Sequence, residues 1–234
     1  MIELFSFSDS GWGYDLARGA LSTLQISAGA FGVALTIGLL AALAKLGPWP
    51  ILRHIANSYT TLCRALPELL LIIVLYYSGT SGINQILATM GWDGNFEISG
   101  FAAAVVVLGI VQGAYASEII RGALLGVPNG LVEAGRAFAL SPSQLFWRIR
   151  LPLMMPLALV GASNVWMALL KESTLISVVG YTELLKTASQ AAASTKQYFT
   201  FYIAAGAIYL AISLVSNFLV HLVENSFRRH QKAF

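Results

Sequence analysis

Residues 21–43 read LSTLQISAGAFGVALTIGLLAAL, a stretch without a single charged side chain. A helix of about 20 apolar residues is long enough to cross a hydrocarbon layer of ~30 Å. Lipid offers no partner for an unpaired backbone N–H or C=O group, so such a stretch is helical in a membrane. It therefore predicts a membrane-spanning helix.

Four further stretches of the chain have the same apolar character: residues 60–77, 98–120, 153–170 and 199–222. Apolar residues make up 57% of the chain and charged residues 11%, whereas a soluble domain carries about 25% charge. This composition excludes a soluble protein, and the pattern predicts an all-α bundle of five spanning helices. Because the sequence shows no internal repeat, we interpret residues 1–234 as one transmembrane domain.

The distribution of Lys and Arg predicts the orientation of the bundle. Cytoplasmic segments of membrane proteins are enriched in these two residues. The segments after the first and third stretches, together with the C-terminal tail, hold nine of them, whereas the opposite side holds four. We therefore expect a periplasmic N-terminus and a cytoplasmic C-terminus, which an odd number of spans also requires.

The segment between the third and fourth stretches is too polar to span a membrane, yet it is patterned. Leu131, Ala134 and Phe138 fall on one face of a helix. This spacing predicts a short amphipathic helix on the cytoplasmic side, of the kind that docks into a groove of a partner protein.

A second short helix is predicted directly afterwards. Ser141 stands where an N-cap residue would be, Pro142 at the first helical position and Gln144 at the third, which is the signature of a capping box. Together the two helices occupy residues 131–150, with the turn between them near residue 140.

This segment resembles a signature of the permease subunits of bacterial binding-protein-dependent ABC importers. The signature is Glu-Ala-Ala, three residues, Gly, nine residues, Ile, one residue and Leu-Pro. The matching residues here are Glu133, Ala134, Gly135, Ala139, Ile149, Leu151 and Pro152. Gly135 and Ala139 depart from it. Because alanine at positive φ costs roughly 1–2 kcal/mol, we expect the break at Ser141 and Pro142, not Ala139, to make the turn.

Three other segments are similar to the polar amino acid branch of that family, and in particular to histidine/lysine/arginine/ornithine and opine permeases. They read TLCRALPE at 61–68, AYASEIIRG at 114–122 and LKESTL at 170–175. The resemblance implies a type I importer of the inner membrane that moves polar, mainly basic, amino acids or opines. It also implies an ATPase-coupling surface made of Glu133, Ala134, Gly135, Phe138 and Ala139.

The partners of the chain follow from the same resemblance. They are a second homologous permease, identical or not, two ATPase subunits that bind ATP and Mg, and a periplasmic binding protein that delivers the substrate. The chain lacks a Gly-x-x-x-x-Gly-Lys-Ser/Thr phosphate loop, so we expect it to bind no cofactor and to perform no ATP hydrolysis itself.

Two other classes of membrane protein are alternatives to an importer permease. A secondary transporter or channel would need no coupling segment, and such transporters often show internal repeats. A membrane enzyme is the third interpretation. The three histidines, His54, His221 and His230, are far apart in the sequence, and they suggest no metal site.

An amino acid substrate asks for a cation near its carboxylate and for acceptors near its positive groups. The guanidinium of Arg donates two parallel hydrogen bonds to a carboxylate. We predict that Arg121 holds the substrate carboxylate, that Glu172 and Glu183 hold its positive groups and that Ser117 lines the path. Alternatively, Arg121 is a cytoplasmic anchor and Glu172 pairs with the neighbouring Lys171.

Arg64 and Glu68 form the last candidate pair. They are four residues apart, so we expect them to share one helix face at the cytoplasmic start of the second span. Charged groups inside spans usually face the bundle interior. The pair is therefore either a structural ion pair or, through Glu68, a part of the site that recognises a cationic substrate.

Overall fold

A computed structural model describes residues 2–7, 11–91 and 99–231 of the chain. Regular structure in these ranges is helical, with short 3-10 segments at Ile2–Phe5 and Ser173–Val179 and a π turn at Phe146–Arg150. The α-helices are α1 (Gly13–Leu46), α2 (Pro50–Ala65), α3 (Glu68–Thr89), α4 (Gly100–Leu125), α5 (Asn129–Ala137), α6 (Pro142–Leu145), α7 (Leu151–Glu172), α8 (Leu184–Thr195) and α9 (Tyr198–Gln231).

Five of the helical segments in the described ranges are long and apolar enough to cross a membrane. They are Gly13–Leu46, Glu68–Thr89, Gly100–Leu125, Pro142–Val179 and Tyr198–Asn225. The prediction of an all-α bundle with five spans is therefore confirmed. Four of the predicted stretches coincide with these segments, apart from their ends.

The second span differs from the prediction. The predicted stretch 60–77 crosses a break, because α2 ends at Ala65 and α3 begins at Glu68. A residue that precedes a proline is disfavoured in the α region, and Leu66 before Pro67 is extended, with φ −96° and ψ 149°. The span is thus preceded by a separate helix, and Arg64 and Glu68 do not share one helix face as predicted.

The α1 and α4 helices form the centre of the bundle, and small residues bring them together. A Cβ atom on Gly38 would lie 2.7 Å from the Ala116 Cβ, and one on Gly109 would lie 2.6 Å from the Val33 Cβ. Glycine is therefore required at both contacts, as helix packing in membranes often requires. Gly32 on α1 makes no such contact, since a Cβ there would meet open space.

The segment between α4 and α7 contains the two predicted short helices. The capping box is confirmed, because the Ser141 Oγ accepts from the Gln144 N–H at 3.3 Å and the Gln144 side chain accepts from the Ser141 N–H at 3.0 Å. Gly135 lies where the helices touch, and a Cβ there would come within 2.5 Å of the Ile149 Cδ1. The departure from the family signature at this position thus fits the local packing.

The expectation for Ala139 is wrong. Ala139 itself adopts the left-handed conformation, with φ 56°. Its N–H bonds the Arg136 carbonyl at 2.9 Å, and the Leu140 N–H bonds the Gly135 carbonyl at 3.1 Å. These two bonds form a Schellman motif, which needs a left-handed residue directly after the helix cap. The two backbone hydrogen bonds therefore determine the turn, and they hold Ala139 at a positive φ that is strained for alanine.

Replacing Ala139 by Gly is expected to stabilise the protein, because glycine adopts a positive φ without steric cost. A gain of about 1 kcal/mol remains after the larger entropy of the unfolded glycine chain is subtracted. The thermal midpoint of the purified protein should rise by roughly 2–4 °C. Ala137→Gly, inside α5, is the control and should lower it. An unchanged or lower midpoint for Ala139→Gly would contradict this account of the turn.

Candidate functional site

Five polar side chains lie close together halfway along α4. The amide of Gln112 donates to both carboxylate oxygens of Glu172, at 2.6 Å each. The Glu68 carboxyl lies within hydrogen-bonding reach of the Tyr115 hydroxyl and of the Glu172 carboxyl. The Arg64 guanidinium lies 5.7 Å from the centre of the Tyr115 ring, a cation–π distance. We call Arg64, Glu68, Gln112, Tyr115 and Glu172 the polar cluster.

The polar cluster lies near the middle of the membrane-spanning helix α4, at the ends of two other helices. Gln112 is near the middle of the 26-residue α4, which is about 39 Å long. Glu68 is the first residue of α3, and Glu172 is the last residue of α7. Two helix ends therefore meet at the mid-depth of the bundle, where broken helices commonly form the substrate sites of membrane transporters.

The chemistry of the polar cluster suits an amino acid that carries a positive side chain. Two carboxyl groups offer acceptors for ammonium or guanidinium groups, and Arg64 offers a cation for a carboxylate. The first N–H groups of α3 also have no intrahelical partner, and Pro67 at the N-cap provides no side-chain cap. A negative group of a ligand is favoured at such a helix end.

The structure does not bring Arg121 to Glu172. Arg121 pairs with Glu118 on its own helix, at 2.9 Å, and Glu118 also binds Lys45 at 2.5 Å. Nine residues separate Gln112 from Arg121 on α4, which is about 13 Å along the axis. The prediction that these residues bind opposite ends of one small substrate does not fit this geometry, because Arg121 is held at the end of α4.

Glu183 is separate from the polar cluster as well. Its side chain is fully buried and caps α8 by accepting from the N–H groups of Leu185 and Lys186, at 2.9 Å each. The Tyr209 hydroxyl donates to it at 2.6 Å, and the Thr23 hydroxyl lies 3.4 Å away. Burial raises the pKa of the Glu183 carboxyl, and these hydrogen bonds oppose the rise. Its partners make it a structural link between α1, α8 and α9.

Ser117 and Lys171 also differ from their predicted surroundings. Ser117 is fully buried, and its hydroxyl has no partner among the described residues. Its backbone nitrogen would lie 3.0 Å from a Cβ on Gly38. It thus belongs to the contact between α1 and α4 rather than to an open path. Lys171 is exposed, and the carboxylate of Glu172 is bound by Gln112 instead.

Sequence reasoning missed Gln112 and Tyr115. Both lie in the stretch 98–120, whose candidate site residue inside the span is Ser117. A polar residue such as Gln112 inside a span is uncommon and usually functional, so its position in the sequence was an available signal. Within the described ranges, no group of three His, Cys, Asp or Glu side chains is arranged to hold a metal ion.

Four of the five predicted ATPase-coupling residues are exposed on or directly after α5, and the fifth, Gly135, is buried. Val132 and Gly135 point inward onto the following helix, whereas Glu133 and Ala134 are exposed. Phe138, at the end of α5, is 82% exposed. The segment thus exposes both an aromatic side chain, Phe138, and an acid, Glu133.

Comparison with known proteins now identifies the family. Residues 34–229 match the model of the binding-protein-dependent transport system inner membrane component. The chain belongs to this family. It is thus a multi-pass permease subunit of the inner membrane, and such subunits are not themselves enzymes.

Two named relatives align with the permease over most of its length. The octopine transport system permease protein OccQ of Rhizobium radiobacter is 39% identical over 222 residues, which cover 95% of this chain and 94% of that protein. The histidine/lysine/arginine/ornithine transport system permease protein HisQ of Salmonella typhimurium is 35% identical over 212 residues, which cover 91% and 92%.

Solved structures support the fold of the permease. A chain of an amino acid ABC transporter crystallised with histidines has a TM-score of 0.75 and 28% identity, over 90% of this chain and 93% of that one. A chain of the MetNI methionine ABC transporter in an inward-facing conformation has a TM-score of 0.67 at 19% identity, over 91% and 95%. The second likeness concerns the fold alone.

Proposed function

We propose that this permease moves basic amino acids or opines across the inner membrane as part of an ATP-driven importer. The polar cluster is the observation that carries the proposal. It places two carboxyl groups, Glu68 and Glu172, beside one another at the mid-depth of the bundle. Two adjacent acids repel one another inside a membrane, and a cationic side chain of the substrate would offset this repulsion at both carboxyl groups.

The orientation of a bound substrate follows from the same residues. Its carboxylate would lie at Arg64 and the first N–H groups of α3, and its positive groups would lie at Glu172 and Glu68. Arg64 therefore takes the place that we first proposed for Arg121. The names of the relatives, which transport octopine or histidine, lysine, arginine and ornithine, agree with this charge pattern.

The energy source is proposed to be on other chains. Two ATPase subunits with ATP and Mg would bind at the cytoplasmic end, where the exposed face of α5 provides an apolar contact at Phe138 and a charged one at Glu133. A second homologous permease and a periplasmic binding protein would complete the complex. The N-terminus would then be periplasmic, as the Lys and Arg distribution predicts.

Transport competition in the reconstituted complex tests the substrate class. Unlabelled lysine, arginine or octopine should inhibit uptake of labelled arginine at concentrations at least ~10-fold lower than glutamine does, because glutamine brings no cationic side chain to Glu68 and Glu172. Equal inhibition by glutamine and arginine would overturn the proposed preference. Uptake without any ATPase subunit would instead favour a secondary transporter.

A further inference from the structure

A second polar cavity lies beside the polar cluster, toward the Arg121 end of α4. It has a volume of about 420 Å³ and is lined by residues of three helices, among them Lys45, Asn57, Thr60, Thr61, Arg64 and Glu118. Small-molecule sites in proteins commonly have volumes of roughly 300–1,000 Å³. The cavity is therefore large enough for an amino acid, and none of the residues assigned to substrate binding except Arg64 lines it.

The charges around this cavity favour a carboxylate. Lys45 is 8% exposed, and its ammonium binds the Thr60 Oγ1 and the Glu118 Oε1 at 2.5 Å each, which leaves one of its three N–H groups for a ligand. Glu118 is shared with Arg121. Of the residues that line the cavity, Lys45 and Arg64 are cations and Glu118 is an acid. A negative group that enters the cavity is therefore attracted.

Arg64 joins this cavity to the polar cluster. Its guanidinium stacks on Tyr115 in the polar cluster, and its side chain also lines the second cavity. We propose that the cavity is a second, weaker site for the transported amino acid, which binds its carboxylate between Lys45 and Arg64 and its ammonium at Glu118. The inference rests on the proposed function, since it concerns the same substrate after it leaves Glu172.

One arginine side chain that serves two sites has a mechanistic consequence. When Arg64 holds the carboxylate in the second cavity, it no longer holds one in the polar cluster. The two sites therefore compete for it, and the substrate moves toward the predicted cytoplasmic end by exchanging the partners of its carboxylate. The second cavity is then a release site on the path.

The test is equilibrium binding of labelled L-arginine to the assembled complex in lipid nanodiscs. Asn57→Asp places a negative charge in the cavity and should weaken the weaker binding event by at least ~10-fold without affecting the stronger one. Ser58→Asp is the matched control, because it adds the same charge to an exposed neighbouring position of α2 that does not line the cavity. It should leave both events unchanged. Acetate at the same concentration should not displace the arginine, since it lacks an ammonium group for Glu118.

The outcomes separate this inference from the proposed function. Each variant is compared with the wild type, so that a site on the second permease subunit cancels. Loss of the strong event in Glu172→Gln and of the weak event in Asn57→Asp supports both proposals. A single strong event in the wild type, or identical effects of Asn57→Asp and Ser58→Asp, overturns the second site alone. Absence of any arginine binding overturns the proposed function and the second site together.

Discussion

Replacing Glu172 by Gln is expected to weaken binding of arginine or lysine by roughly 30–150-fold, because a hydrogen bond to a charged group contributes about 2–3 kcal/mol when it is buried. Glutamine keeps the size of the side chain and can still meet the Gln112 amide, which now donates at 2.6 Å to both oxygens of Glu172. The loss therefore reports the charge and not the shape of the site. The measurement is arginine affinity and uptake in the reconstituted complex.

A matched acid elsewhere provides the control. Glu224 on α9 is also largely buried, with its side chain 18% exposed, and it accepts from the Ser163 hydroxyl at 3.3 Å. Glu224→Gln should assemble normally and should keep the wild-type affinity for arginine. If Glu172→Gln behaves like this control, Glu172 does not belong to the substrate site.

Replacing Phe138 by Ala is expected to weaken the association with the ATPase subunits by about 30-fold or to uncouple ATP hydrolysis from uptake. Aromatic side chains buried at the centre of an interface commonly contribute ≥ 2 kcal/mol, roughly a factor of 30 in affinity. Phe138 is 82% exposed in the single chain, so its truncation removes little from the fold itself. The measurements are co-purification of the ATPase and the number of ATP molecules hydrolysed per substrate molecule.

The chain offers a close control for this experiment. Phe199, near the start of α9, is also 82% exposed, but it lies on the predicted periplasmic side. Phe199→Ala should leave the ATPase bound and coupled. Intact assembly and normal coupling in Phe138→Ala would refute the assignment of α5 as the coupling helix.

Hydropathy and local spacing predicted the parts of the fold that depend on neighbours in the sequence. The five spans and the capping box of Ser141 and Gln144 belong to this group. The break before α3 was missed because the apolar pattern continues across Leu66 and Pro67 while the backbone does not. Ala139 was misjudged because its intrinsic preference is outweighed by the two hydrogen bonds that close the turn.

The candidate site was predicted in part. Glu172 and Glu68 are separate candidates in the sequence, and their proximity depends on how α3, α4 and α7 pack. Arg121 was placed with Glu172 by analogy of chemistry, whereas Glu118, three residues before it, binds it directly. Charge type can be identified from a sequence, but the choice among several partners of opposite charge is made by tertiary packing.

The link made by Glu183 bears on how the chain is synthesised and inserted. The Thr23 hydroxyl and the Glu183 carboxyl are 160 residues apart in the chain, and at about 5–20 residues per second a ribosome needs roughly 8–32 s to make the stretch between them. Tyr209, the donor with the shortest bond to Glu183, emerges later still. During that interval α1 lies in the membrane without its link through Glu183 to α8 and α9. A nascent chain that stops before α9 therefore leaves the Glu183 carboxyl without its donor Tyr209.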